Sequence, residues 1–387
     1  MRHSTALRCL PLLLCAITLT ACESNPTAPS NDDEDPPPAG NVMAMTAGTS
    51  HTCALRTDGR AYCWGLNDHG QLGDSSTTNR TAPVAVAGGL RFRAIDAGDA
   101  NTCAVTTDNR AYCWGDNFHL QSTGAQAASV TTPRLVPGIA FATVSAGLDH
   151  SCGVAVDGTG YCWGTGYGPG FQDAHLDRSG TPQPLAGGPW KAISAGSNYS
   201  CGLTVGGAAY CWGANAGGVV GDNSTELRRQ PVPVVGGHTF ASIDAGVSHS
   251  CALRTDGAVY CWGTNNVGQL GIGSSDAFRS SPVQVGANQG WTSVSSGGLH
   301  TCGGTADATY CWGRGSLGQL GTGSTAQQSS PTPVADVSFV TVSAGATHTC
   351  GVTDENKGYC WGSNPYGAVG VATPPARLIP SEVTLPQ

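Results

Sequence analysis

Cysteines are the residues of this sequence best equipped for chemistry, and there are 17 of them in 387 residues. Fourteen form pairs: Cys53 with Cys63, Cys103 with Cys113, Cys152 with Cys162, Cys201 with Cys211, Cys251 with Cys261, Cys302 with Cys311 and Cys350 with Cys360. The first members lie 50, 49, 49, 50, 51 and 48 residues apart. Thiols at this density signify metal or catalytic sites in a reducing compartment and disulfides outside it. Zinc needs four ligands, and each pair supplies two. No Cys-x-x-Cys is present for redox exchange. The pairs are therefore expected to be disulfides, and neither a metal nor a cofactor is expected.

The elements that must hold these pairs follow from counting. An antiparallel hairpin that sets Cys53 opposite Cys63 also sets Ala54 opposite Tyr62 and Leu55 opposite Ala61, leaving Thr57-Asp58-Gly59 as a three-residue loop. Such a loop favours a left-handed last residue. Gly59, Asn109, Gly158, Gly207, Gly257 and Asn356 stand there. The sixth hairpin is one residue shorter, and a loop reduced to Ala306-Asp307 keeps Cys302 opposite Cys311. Directly opposed strand residues lie close enough to bridge. Each small loop so closed adds roughly 2 to 3 kcal/mol.

Each second cysteine precedes Trp-Gly, which accounts for Trp64, Trp114, Trp163, Trp212, Trp262, Trp312 and Trp361. The unit reads as four short strands, for example Phe240 to Gly246, His249 to Leu253, Val259 to Gly263 and Pro282 to Val285, separated by Gly, Asn, Asp and Pro. Seven four-stranded units of about 50 residues, none able to bury both its faces alone, predict an all-β chain. Its expected form over residues 42–387 is a seven-bladed β-propeller of four-stranded antiparallel blades. The body starts in a strand at Val42 and ends in one at Pro380 to Leu385. Pairing of these N- and C-terminal strands is expected to close the ring.

The recurring Ala-Gly-x-x-His-[Ser/Thr]-Cys, Asp-Gly, Tyr-Cys-Trp-Gly-x-Asn and Gly-Gln-Leu-Gly elements resemble the repeat of the regulator of chromosome condensation family, whose members are seven-bladed propellers. The resemblance spans residues 42 to 385. A cysteine pair in each blade departs from the family's nuclear exchange factor. Light sensing, which one plant member carries out with tryptophans before the His-Thr pair, is not implied, because Thr49, Asp99, Leu148, Ser197, Val247, Gly298 and Ala346 occupy that position.

Residues 1–21 carry Arg2 and Arg8 and then an apolar run too short to span a bilayer, the layout of a secretory signal. Its end, Leu19-Thr20-Ala21-Cys22, resembles the lipobox of bacterial lipoproteins, which implies lipidation of Cys22. An ordinary signal with an incidental cysteine is the alternative. Residues 22–41 follow as a Pro-rich, acidic stalk that cannot bury enough apolar surface to order itself. The expected location is the bacterial cell envelope, extracytoplasmic and lipid-anchored, at either membrane.

Only 11% of residues are charged, the formal net charge is −8 and no basic run occurs. This excludes nucleic acid as a general partner. Strand alternation puts the Ala-Gly-x-x-His loop and the long loop after Trp-Gly at one end of the units. Repeated residues there, including His51, His150, His249, His300 and His348, read as scaffold, with each histidine bonding loop backbone. Function is expected in what does not repeat. The candidates for partner binding are Asp99, Asp149, Asn198, His119, Tyr167, Phe171, Asp173, His175, Arg178, Arg228, Arg229 and Phe278, a mixed polar and aromatic surface suited to a protein. The expected function is a non-catalytic, membrane-tethered binding module for an extracytoplasmic protein, an inhibitor of an extracellular enzyme being a narrower version. The alternatives are a structural envelope component and a glycan-binding or glycan-hydrolysing protein using Asp149, Asp173 and Asp177. No Ser-His-Asp, His-Glu-x-x-His or phosphate-loop motif supports catalysis.

Overall fold

In the first unit the second and third strands, His51–Arg56 and Ala61–Gly65, are buried at every position. Both their faces are covered, so they read as continuous runs of apolar and small residues rather than as an alternation. A computed structural model describes residues 41–124, 127–165, 178–287 and 290–386, and every regular element among them is a strand. The first unit is completed by Val42–Ala47 and Arg80–Ala85, in the order of the sequence and antiparallel throughout.

Five sheets have this four-stranded form, and a sixth has seven strands. The 18-residue strand Ser129–Ala146 joins two units in that larger sheet: Leu135 pairs with Tyr112 of one, and Ser145 pairs with Cys152 of the next. Ser129–Ala146 thus serves as the last strand of one unit and the first of the next.

Each hairpin has the register set by counting, with every cysteine directly opposite its partner. All seven expected disulfides are formed. Cys53 is bonded to Cys63, Cys103 to Cys113, Cys152 to Cys162 and Cys201 to Cys211. Cys251 is bonded to Cys261, Cys302 to Cys311 and Cys350 to Cys360. The Cα atoms of each pair stand 4.0 to 4.1 Å apart, the close approach of residues facing each other across an antiparallel ladder. The loop residues Gly59, Asn109, Gly158, Gly207, Gly257 and Asn356 all have positive φ.

The fourth strand differs from the sequence-based expectation. In the fifth unit it starts at Phe278, four residues before Pro282, because Thr264 and Gly263 pair with Phe278 and Arg279 before the register slips at Trp262. Pro83, Pro133, Pro182, Pro231, Pro282, Pro331 and Pro380 all fall at this slip. A proline at a bulge removes no ladder bond, and it blunts an exposed edge strand.

The expected pairing of the two terminal strands is not found. Val42–Ala47 pairs only with His51–Arg56, and Ala376–Val383 only with Gly358–Ser363. The physical reason is that each unit is completed by consecutive strands, so neither end lacks a partner.

The core lies between neighbouring sheets, in seven clusters. Phe92 packs on Tyr112 and Trp114, and Phe141, Phe240 and Phe339 repeat the arrangement in their own units. Trp190 and Trp291, the two tryptophans outside the Trp-Gly position, take this same place. In the first unit it is Val42, and Val383 and Leu385 from the far end of the chain join Val42, Tyr62 and Trp64 in one cluster with Val352 and Val369. Full burial of such side chains contributes about 1.5 to 3 kcal/mol each.

Candidate functional site

The Ala-Gly-x-x-His turn carries its glycine into contact with the next unit. A Cβ on Gly48 would lie 2.4 Å from the carbonyl oxygen of Gly98, one on Gly98 2.4 Å from that of Gly147, and one on Gly345 2.3 Å from that of Gly48. The residue after each glycine donates its backbone N–H to the same carbonyl. The links run from Thr49 to Gly98 (3.2 Å), Asp99 to Gly147 (3.3 Å), Leu148 to Gly196 (3.3 Å), Ser197 to Gly246 (3.4 Å), Val247 to Gly297 (3.2 Å), Gly298 to Gly345 (3.0 Å) and Ala346 back to Gly48 (3.2 Å). These turns line a central cavity of about 290 Å³.

Beneath them lies a cycle of side chains. His51 Nε2 is 2.9 Å from the Thr102 hydroxyl of the next unit, and His150–Ser200, His249–Thr301, His300–Thr349 and His348–Thr52 repeat the link at 2.7 to 2.8 Å. Asn101 and Tyr199 keep it going, to Ser151 and Ser250. The histidines are structural, and they bond a neighbour's hydroxyl rather than loop backbone. The Thr102 hydroxyl donates to the Gln71 carbonyl, which also accepts the Trp114 indole N–H. With that proton committed, the histidine must donate from Nε2, which leaves Nδ1 unprotonated. Nδ1 of all five histidines is buried without a hydrogen-bond partner. Burial accordingly depresses the pKa to about 3 for His51, His249 and His300 and about 4 for His348.

A third cycle runs along the first strands. Backbone N–H groups of Ala47, Ala97, Ala146, Ala195, Ala245, Ser296 and Ala344 bond the side chains of Ser343, Thr46, Asp96, Ser145, Ser194, Asp244 and Ser295 in turn. Burial raises the pKa of both carboxylates, that of Asp244 to about 6. Among the described residues no three His, Cys, Asp or Glu side chains converge as a metal site.

The candidate residues separate across this face. Asp99 stands on the rim of the central cavity, and Asn198 bonds the hydroxyl of its neighbour Ser197. Asp149 lies 3.5 Å from Nδ1 of its neighbour His150. Arg228 is bound inside its own loop by Asp222, as Arg80 is by Asp74, so it repeats a scaffold contact of the first unit. Arg229 and Phe278 are exposed at the start of their outer strands. Among the described candidates only His119 and Arg178 come together, each against Phe118. His119 Nδ1 meets the Thr165 hydroxyl at 2.7 Å, and the Arg178 guanidinium lies 4.9 Å over the ring of Phe118, which packs edge-on against His119. Cys22, Tyr167, Phe171, Asp173, His175 and Asp177 fall outside the described residues.

Family models of the regulator of chromosome condensation (RCC1) repeat match residues 44–71, 92–121, 190–218, 240–269 and 339–368 and, in a second form, 58–105, 206–253, 256–303 and 307–352. The chain belongs to the RCC1 repeat family. Among solved structures it is similar to Prp20p from Saccharomyces cerevisiae at 23% identity, with a TM-score of 0.70 over 81% of this chain and 84% of that one. Human WBSCR16 is similar at 18% identity and a TM-score of 0.77, covering 84% and 95% of the respective chains. The ectodomain of the Physcomitrella patens receptor kinase CR4 is similar at 23% identity and a TM-score of 0.56, covering 84% and 74%. These likenesses show the fold.

Within the RCC1 frame one departure went unread in the sequence. The third residue after the loop asparagine, or after Gly315 in the sixth unit, is Gly70, Gly218, Gly268, Gly318 or Gly367 in five units, each with positive φ and each against the next outer strand. In the second unit it is Leu120, held at φ 64°. A left-handed leucine costs roughly 1 to 2 kcal/mol. At the outer-strand position that Thr81, Thr131, Ser280, Ser329 and Leu378 hold in other units, the third unit has Gly180, which lies against Gly124. Aligning the repeats position by position would have exposed this exchange.

Proposed function

We propose that this RCC1-repeat chain is a closed seven-bladed propeller acting as a non-catalytic binding module that presents its long-loop end to a protein partner. The observation that carries the reading is the uneven decoration of one end: beneath it three cycles of inter-unit contacts repeat seven times, while Phe118, Arg178, Val247 and Phe278 stand exposed upon it without repeating. A rigid frame bearing variable loops is the arrangement in which binding residues concentrate. Support also comes from the relatives: the published description of Prp20p concerns its binding to Gsp1p and histones, and yeast RCC1 (Prp20) has been solved bound to Kap60. Those proteins are not proposed as partners here. Asp149 lies against its own neighbour His150, and no second carboxylate among the described residues is paired with it as an acid and base would be.

The reading extends to the N-terminus. Residues 1–21 are a cleaved signal, Cys22 carries the lipid and residues 22–41 form the stalk, so the module sits extracytoplasmically at a bacterial envelope membrane. Seven disulfides accord with an oxidising compartment.

The test uses the tagged full-length chain, captured from envelope extracts beside a variant carrying Phe118→Ser, Arg178→Gln, Arg229→Gln and Phe278→Ser. A protein retained by the parent and lost from the variant, at unchanged Tm, supports the reading. Identical retention, or none, sinks it. Fatty-acid labelling of the chain and of Cys22→Ser tests the anchor separately.

A further inference from the structure

We infer that the groove between the second and third units docks a segment of the protein partner that carries a carboxylate beside a large apolar side chain. The inference rests on the binding-module reading above and names the chemistry of its contact. The groove has a volume of about 370 Å³ and is lined by Asn117, Phe118, Leu120, Ala127, Ala128 and Arg178.

Three observations converge there. Phe118 is 61% exposed, an arrangement that burial alone would oppose. Arg178 is fixed over it, with Nη1 donating to the Phe118 carbonyl oxygen at 3.0 Å. Nε and Nη2 remain to take a carboxylate in the two-pronged manner that guanidinium favours. The arginines closing other long loops, Arg80, Arg228 and Arg279, each pair with an aspartate of their own loop, whereas no carboxylate among the described residues pairs with Arg178. Among the described residues this cation is therefore placed without a carboxylate partner.

Leu120 supplies the third observation. It occupies a left-handed position that five other units give to glycine, in a loop whose later residue Gly124 lies against Gly180 of the next unit. Gly180 is needed because a Cβ there would lie 2.3 Å from Gly124 Cα. The exchange rebuilds this one seam and adds an apolar side chain to the groove. Backbone strain held by a rigid surround is characteristic of ligand clamps. Phenylalanine and arginine are among the residue types enriched at protein interfaces.

The test measures saturation-transfer NMR of the full-length protein with four amidated, acetylated hexapeptides bearing Asp-Phe, Asp-Leu, Glu-Phe or Glu-Leu between Gly/Ser flanks, each beside its Asn or Gln counterpart. The expected result is binding of acidic peptides and about tenfold weaker binding of the amides, the effect of losing a charge-assisted pair. Arg178→Gln should abolish the acid-over-amide difference. Leu120→Gly, which restores the residue of the other units, should weaken binding while Tm holds or rises, which a merely structural leucine would not do. Equal binding by Arg178→Gln, no binding by any acidic peptide, or binding of an oligosaccharide such as maltohexaose at Phe118 without need of Arg178 would each overturn the inference. If envelope capture survives Arg178→Gln and Leu120→Gly and is lost with Arg229→Gln and Phe278→Ser, the groove assignment fails while the binding module stands.

Discussion

His348 of the last unit and Thr52 of the first are joined by a hydrogen bond of 2.8 Å, the same contact that His51 makes to Thr102 between the first unit and the second. The ends of the chain therefore meet as neighbours, although they share no sheet. The Thr52 hydroxyl donates to the Ala368 carbonyl oxygen at 2.7 Å, and the Trp64 indole donates to that same oxygen at 2.8 Å. The contact between the ends uses the hydroxyl, carbonyl and indole arrangement that Thr102, Gln71 and Trp114 show between the first two units, with Arg56 Nη1 bonding the Pro386 carbonyl oxygen at 3.0 Å in addition.

Thr52→Val should therefore destabilise the protein as much as Thr102→Val. Each leaves a buried imidazole N–H without an acceptor, at a loss of about 1 to 3 kcal/mol. Urea unfolding of the two variants makes the comparison. A negligible loss for Thr52→Val beside a full loss for Thr102→Val would mean that the first and last units are not joined in solution.

Acid should weaken the fold before it protonates surface carboxylates. His51, His249, His300 and His348 are held neutral, with pKa values of about 3, 3, 3 and 4 against 6.5 when unfolded. The unfolded chain binds protons below pH 6.5 that the folded chain refuses, so stability is complete above 6.5 and is lost as pH falls towards 4. Asp96 and Asp244 oppose this. Burial raises both their pKa values, that of Asp244 from 3.8 to about 6, so their contribution is present below 3.8 and lost as pH rises through the raised values. Four histidines outnumber the two carboxylates, and Tm should fall between pH 7 and 4.5. Replacing His300 by Asn, the residue already accepted at position 101, should flatten the slope; an unchanged slope would count against the neutral-histidine cycle.

The disulfides should open in a set order. Thirteen of the bridged cysteines are fully buried, while Cys162 is 7% exposed. Thiol exchange needs access to the sulfur under attack. Mild reduction of the folded protein followed by alkylation and mass analysis should modify Cys152 and Cys162 first. Earlier modification of any fully buried pair, such as Cys103 with Cys113 or Cys350 with Cys360, would contradict the burial argument. Serine at both Cys152 and Cys162 should cost roughly 2 to 3 kcal/mol.

Much of this fold could be read from spacing, because the hairpin register depends on local counting: Cys53 opposite Cys63 fixes Gly59 at the turn without reference to any other unit. The same counting placed Cys211 opposite Cys201 and Cys261 opposite Cys251. The meeting of the two chain ends could not be read in the same way. Val42 and Leu385 meet through side-chain packing between sheets, and no periodicity distinguishes such contact from strand pairing. The groove was half legible. His119 and Arg178 stood out as residues that do not repeat, but Arg228 stood out equally and is an internal loop contact. What separates them is the residue six positions earlier, Asp222 before Arg228 and Gln172 before Arg178, a difference that shows only once the loop pairing of Asp222 with Arg228 is known. Leu120 was missed because a leucine in a loop looks ordinary until its φ is known.

The glycine cycle yields the sharpest contrast between two glycines of the same fold. A Cβ at Gly98 would meet the Gly147 carbonyl oxygen at 2.4 Å and Asn101 Oδ1 at 2.5 Å, and the former is backbone of the next unit that cannot swing aside. Gly88 has φ +93° and nothing within 4 Å of an added Cβ. Alanine at Gly88 should cost only the conformational strain, about 1 kcal/mol. Gly98→Ala must push two units apart along a cycle that closes on itself, so the displacement cannot relax at a free end, and a loss above about 2 kcal/mol is expected. Thermal and urea unfolding of the two variants decide the matter. Similar losses would mean that the turns slide past one another and that the contact between Gly98 and Gly147 is not a constraint on the ring.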